Sequence, residues 1–128
     1  MREIKFRAWV PKLKRMGKVS EINFMTGTLT VATNPIFSEI FRLRQVGLMR
    51  YTGLDDVNGN HIYENDIVKS NYKYAQPKIS QIIMEDGNSY IAGEDLATGN
   101  EMLVSDHVDE IEVIGNIHAN PELLETEE

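Results

Sequence analysis

The sequence predicts a mainly β, α+β fold: a small, strongly bent sheet or partly open β-barrel with one short helix. Three observations carry that expectation. Apolar and polar residues alternate at the start of the chain, where Ile4, Phe6 and Ala8 interleave with Lys5 and Arg7. Turn signals recur at short intervals, at Thr26-Gly27, Asn34-Pro35, Asn58-Gly59, Asp86-Gly87, Thr98-Gly99 and Asn120-Pro121. Ahead of the chain's last few residues, only one segment carries a helical spacing.

The elements follow in order. The alternating start is a half-buried strand that ends near Pro11, which cannot donate to a ladder. Pro11–Gly17 reads as a basic loop, and Lys18–Met25 and Thr28–Thr33 as strands of a meander. In residues 36–43, Ile36, Ile40 and Leu43 recur at i, i+4 and i+7, with Phe37 and Phe41 widening the apolar face. This spacing predicts a short helix lying over the open end of the sheet. Leu48–Leu54 and Ile62–Lys69 are hairpin strands. Asn71–Lys78 reads as a long loop. Ile79–Glu85 and Asn88–Gly93 flank the Asp86-Gly87 turn, Met102–Val104 is a short strand, and Glu112–His118 is the last strand. The acidic tail over 122–128 is expected to form a loose helical turn and fray.

The central hairpin is specific enough to read residue by residue. A two-residue Asn-Gly turn would set Arg50 against Ile67 and Tyr51 against Asp66, which are poor partners. A three-residue loop serves better, with Asp56 opening a type I turn and Gly59 in the left-handed conformation of a G1 bulge. It pairs Leu54 with Ile62, Arg50 with Asp66, Met49 with Ile67 and Leu48 with Val68. Asn65-Asp66 interrupts the second strand, and Asn tolerates positive φ, so a kink is expected at Asn65.

Composition sets the outer limits. The chain has 128 residues, enough for one domain over 1–128 with one core. It has no cysteine, which excludes disulfides and thiolate chemistry. The charged, alternating N-terminus is no signal peptide, and no apolar run approaches a membrane span, so a cytoplasmic protein is expected. The net charge is −7, unevenly spread. Seven Lys and Arg against one acid occupy residues 1–18, while residues 101–128 hold nine acids and no Lys or Arg. Overall acidity opposes strong non-specific DNA binding, which phosphate attraction dominates.

With that hairpin and both ends of the chain in view, the sequence resembles a known family. Residues 51–59 (YTGLDDVNG) and 62–68 (IYENDIV) resemble the signature of the YopX-like proteins of bacteriophages and prophages. Residues 2–9 (REIKFRAW) look like that family's opening strand, and 112–117 (EVIGNI) with 120–124 (NPELL) look like its ending. The family usually has glycine where this chain has Asn65, and an acidic residue where it has Val10. Residues 20–46 and 70–105 match little. The resemblance implies a phage or prophage protein in the bacterial cytoplasm with a mostly β fold. It brings no mechanism, and no catalytic residue carries over.

Candidate sites are few. Asp55, Asp56, Asn58 and Asn60 cluster oxygen atoms as calcium loops do, but lack the distal bidentate Glu, and a turn needs the same residues. Glu64 and Asp66 share a strand face, with Arg50 the expected partner of Asp66. His61, His107 and His118 have no metal-like spacing. No catalytic, metal or cofactor site is therefore expected, and the chain reads as a non-catalytic protein-binding module, with self-association through exposed strand edges open to it. The alternative is a nucleic-acid-binding module. It would use the basic segment with Lys12, Lys14 and Arg15, together with Tyr72-Lys73-Tyr74, Lys69 and Lys78, where aromatic rings among cations suit stacked bases.

Overall fold

The computed structural model describes residues 5–71, 77–85, 87–95 and 100–125. They form two compact units, divided after Tyr51.

In the first unit, β1 (Phe6–Val10), β2 (Arg15–Asn23), β3 (Thr28–Ala32), β4 (Ser38–Arg42) and the start of β5 (Gly47–Asp55) make one antiparallel sheet in the order β4-β3-β2-β1-β5. Its core comes from that sheet and from Leu43 and Val46, which lie between β4 and β5. Ala8, Val10, Leu29 and Val31 are buried, with Val19, Ile22, Phe41, Leu43, Val46 and Leu48 packed against them. Two features of β2 favour a curl in the sheet. A bulge shifts its register with β3 between Val19 and Glu21. Gly17, opposite Ala8, has no room for a Cβ, which would collide with Val31 Cγ1 and stand 2.9 Å from the Ala32 carbonyl. The sheet is antiparallel throughout and does not close into a barrel.

Two expectations fail in this unit. The basic loop is shorter than Pro11–Gly17: Pro11–Lys14 turns the chain, Lys14 takes φ +54°, and Arg15 already pairs with Val10. The helix over 36–43 is absent. Ser38–Arg42 is strand β4, and Leu43–Gln45 is one 3-10 turn. The apolar residues at helical spacing do not converge on one face, because Ile36 lies in a turn, Ile40 in a strand and Leu43 in the 3-10 turn.

In the second unit, the end of β5 pairs with β6 (His61–Tyr63). β7 (Asp66–Ser70), β8 (Lys78–Glu85), β9 (Asn88–Asp95), β10 (Asn100–Leu103) and β11 (Ile111–Asn116) form an antiparallel sheet in the order β10-β9-β8-β7-β11. Its core is Ile62, Val68, Ile82, Ile91, Val104 and Ile111, with Leu54, Val108 and Val113 against it. The one α-helix among the described residues is α1 (Glu122–Glu125), in the tail.

The second hairpin strand does not run on as predicted. At Asn65 (φ +70°) the chain turns, and β7 joins β8 and β11 instead of β5. The ladder pairs expected between Arg50 and Asp66, Met49 and Ile67, and Leu48 and Val68 therefore do not form. Arg50, Met49 and Leu48 lie opposite Phe6, Arg7 and Ala8 of β1.

Candidate functional site

The polar residues of the central hairpin form a dense hydrogen-bond network (Asp56 to Asn60, with β11). Asp56 N–H donates to the Asn60 carbonyl at 2.8 Å, and Gly59 N–H donates to the Asp56 carbonyl at 2.9 Å. With Gly59 at φ +82°, this is the predicted type I turn and G1 bulge. The Asp56 side chain is buried and takes three backbone donors. Its Oδ1 accepts Asn58 N–H and Asn60 N–H, each at 2.9 Å, and its Oδ2 accepts Val113 N–H from β11 at 2.8 Å. Val57 N–H adds a bond to the Ile111 carbonyl at 3.2 Å. A single carboxylate thus shapes the turn and fastens it to the last strand.

Neighbouring polar residues bond to side chains. Asp55 stands 2.6 Å from His61 Nδ1, and the Asn58 side-chain amide reaches Glu112 at 3.4 Å. The Asp55, Asp56 and Asn58 side chains are thus turned to three different sets of partners. Among the described residues, no group of three or more His, Asp or Glu side chains could hold a metal ion. His107 sits 2.7 Å from Glu110.

Asn65 and Asp66 build the corner. Asn65 N–H donates to the Ile82 carbonyl at 2.8 Å, its carbonyl accepts Ile117 N–H at 3.0 Å, and its Oδ1 accepts the Gln81 amide at 3.0 Å. Asp66, 1% exposed, accepts Tyr63 N–H at 2.8 Å. The C-terminal residues of the signature form a second such knot. Asn116 Oδ1 accepts His118 N–H and Ala119 N–H, and a Cβ on Gly115 would stand 2.6 Å from Asn120 Oδ1.

The residues proposed for nucleic-acid contact are only partly assembled. Lys12 and Lys14 lie exposed in the β1–β2 turn, with Arg15 exposed at the start of β2. Lys69 and Lys78 belong to the second unit. Ser70 pairs with Lys78, so strand alternation sets Lys69 on the opposite face of that sheet from Lys78. Tyr72, Lys73 and Tyr74 fall outside the described residues.

The feature that periodicity missed is the outer edge of the first unit. Phe24, Met25, Ile36, Phe37 and Ile40 are 76%, 98%, 80%, 67% and 73% exposed. Each pair of adjacent apolar residues is presented by a turn that an asparagine holds. Asn23 Oδ1 accepts Met25 N–H and Thr26 N–H, and Asn34 Oδ1 accepts Ile36 N–H and Phe37 N–H, all at 2.8–3.1 Å. Ile40 lies between them on β4, the edge strand. Leu43 N–H donates to the Gly27 carbonyl, which fixes the alternation of the β3–β4 ladder. Phe41 and Glu39 bond to β3, while the backbone N–H and C=O of Ser38 and Ile40 face away from it. The Arg42 N–H also faces outward, and Gln45 Oε1 accepts it at 2.9 Å. Beside this edge a depression is lined by Val10, Lys12, Glu39, Ile40, Phe41 and Gln45.

Among the described residues, no helix is long and apolar enough to cross a membrane. No curated protein matches the sequence. Two solved structures share the fold over nearly the whole chain. The crystal structure of protein EF1440 from Enterococcus faecalis is 30% identical, with a TM-score of 0.67, covering 97% of this chain and 99% of that one. The crystal structure of protein yopX from Bacillus subtilis is 24% identical, with a TM-score of 0.64, covering 97% of each chain. The family model for the YopX protein matches residues 5–125, which include the Asp56 turn, the Asn65 corner and the Asn116 knot, and the chain belongs to the YopX family.

Proposed function

We propose that this chain is a non-catalytic phage or prophage accessory protein of the bacterial cytoplasm, and that it binds another protein through the free edge of β4. The observation that carries this reading is the grouping of Phe24, Met25, Ile36, Phe37 and Ile40 around one edge strand. These residues lie on the edge strand and in the turns at its two ends, and an open edge offers backbone groups that a second strand satisfies. The polar signature residues support the same reading from the other side, because the hydrogen bonds of Asp56, Asn65 and Asn116 hold turns and strands of the fold together. A photo-crosslinking residue at position 40, in bacterial lysate, should give a discrete protein adduct that is lost on Ile40→Pro. Proline there removes an outward N–H and leaves the ladder to β3 intact. No adduct at any protein concentration contradicts the reading.

The β1–β2 turn supports nucleic-acid binding as a second reading, since it exposes Lys12, Lys14 and Arg15 within four residues. Its test is a gel shift with single-stranded and duplex DNA. The reading requires a salt-sensitive shift that charge reversal at these three positions abolishes. No shift at low salt removes it.

A further inference from the structure

We infer that the partner of the β4 edge is a second copy of this chain, joined antiparallel about a two-fold axis at Ile40. The inference rests on the reading of that edge as the binding surface, and it adds the occupant.

The edge is complementary to itself. Antiparallel pairing about Ile40 sets Ile40 against Ile40 of the second copy, and Ser38 against Arg42 of the second copy. Each Ile40 N–H then donates to the opposite Ile40 carbonyl, and each Ser38 N–H donates to the opposite Arg42 carbonyl. Those are the groups that the β3–β4 ladder turns outward. Each Arg42 N–H would likewise donate to the opposite Ser38 carbonyl, taking the place of the Gln45 Oε1 that accepts it within the single chain. The side chains of Ser38, Ile40 and Arg42 share the sheet face opposite the core, so the two Ile40 side chains meet on the same side.

The apolar turns match as well. The Asn34 turn, with Ile36 and Phe37, stands at the N-terminal end of β4. The Asn23 turn, with Phe24 and Met25, stands near its C-terminal end, where Leu43 bonds to Gly27. Reversing one strand against the other brings the Ile36–Phe37 turn of each copy toward the Phe24–Met25 turn of the other. A lone peptide strand would satisfy the backbone of β4 and leave an apolar turn in water. A second copy supplies a counterpart for both.

The area is sufficient. Taking roughly 200 Å² for a large apolar side chain, the five exposed residues offer on the order of 800 Å² per copy. A standard stable interface buries about 800 Å² per partner. An isologous contact of this kind also closes on itself, so it stops at a dimer.

Light scattering over a range of protein concentrations tests the inference, with Ile40→Lys and Ile40→Pro as variants whose thermal unfolding is followed in parallel. The expected result is twice the monomer mass for the parent protein, and at least a tenfold weaker association for both variants without loss of folding. A parent protein that stays monomeric, or a dimer indifferent to both variants, overturns it. The crosslinker at position 40 separates this inference from the broader reading. An adduct between two copies supports both. An adduct only with a different protein overturns the second-copy assignment and leaves the edge as a binding surface. No adduct overturns both.

Discussion

Asp56 and Ile40 have exchanged the places that their chemistry suggests. Asp56 is a carboxylate, yet it is 5% exposed and all three of its hydrogen bonds go to backbone N–H groups of the fold. Ile40 is an aliphatic side chain, yet it is 73% exposed on an edge strand. Around each, the neighbours behave alike. The side chains of Asn65, Asp66 and Asn116 bond within the fold, while Phe24, Met25, Ile36 and Phe37 stand in solvent. The reading of the hairpin's polar residues as turn residues holds, whereas Ile36 and Ile40, expected on the apolar face of a helix, stand exposed. A buried carboxylate with satisfied bonds builds structure, whereas an exposed apolar cluster on a free edge invites a partner.

The sharpest way to break that contrast is Asp56→Ala. It leaves three backbone donors without their acceptor, in a region where hydrogen bonds to a charged group contribute about 1.5–3 kcal/mol each and do not add fully. A loss of about 3 kcal/mol or more in urea unfolding is expected. A loss below about 1 kcal/mol would return Asp56 to the list of functional candidates. Gly17→Ala tests the curl of the first unit, because its Cβ collides with Val31 and crowds a backbone carbonyl. Overpacking of this kind costs about 2 kcal/mol, read from the same unfolding curves. Gly59→Val forces a β-branched residue to φ +82° where no atom lies within 4 Å of a Cβ, so backbone strain acts alone. The expected cost is about 1–2 kcal/mol, and an unchanged melting temperature would refute the left-handed assignment. Ile40→Lys has the smallest expected effect on stability, within about 0.5 kcal/mol. Coupled with a large loss of association, it sharpens the comparison most.

What the sequence made legible was local. The type I turn and G1 bulge follow from Asp56, Asn58 and Gly59, because turn chemistry depends on adjacent residues. The positive φ of Asn65 was legible for the same reason. Where β7 goes after that corner was not, since exchange of β5 for β8 and β11 depends on strands far along the chain. The misplaced helix has a different cause. Helical spacing is informative when the spaced residues are buried together, and Ile36 and Ile40 are not buried at all. The better signals in that region were Asn23 and Asn34, each placed to hold the two or three residues after it in a tight turn. Of the proposed nucleic-acid contacts, Lys12, Lys14 and Arg15 do stand together, as adjacency in sequence required, whereas Lys69 and Lys78 fall on opposite faces.

Native-state hydrogen exchange reads both sides of the comparison in one experiment. The Val113 amide, bonded to Asp56, should be strongly protected at every protein concentration. The Ile40 amide, which faces away from β3, should exchange quickly in dilute protein and become protected as concentration rises. Rapid exchange at Val113, or an Ile40 amide indifferent to concentration, would contradict the division between a polar hairpin that holds the fold and an apolar edge that binds a second copy.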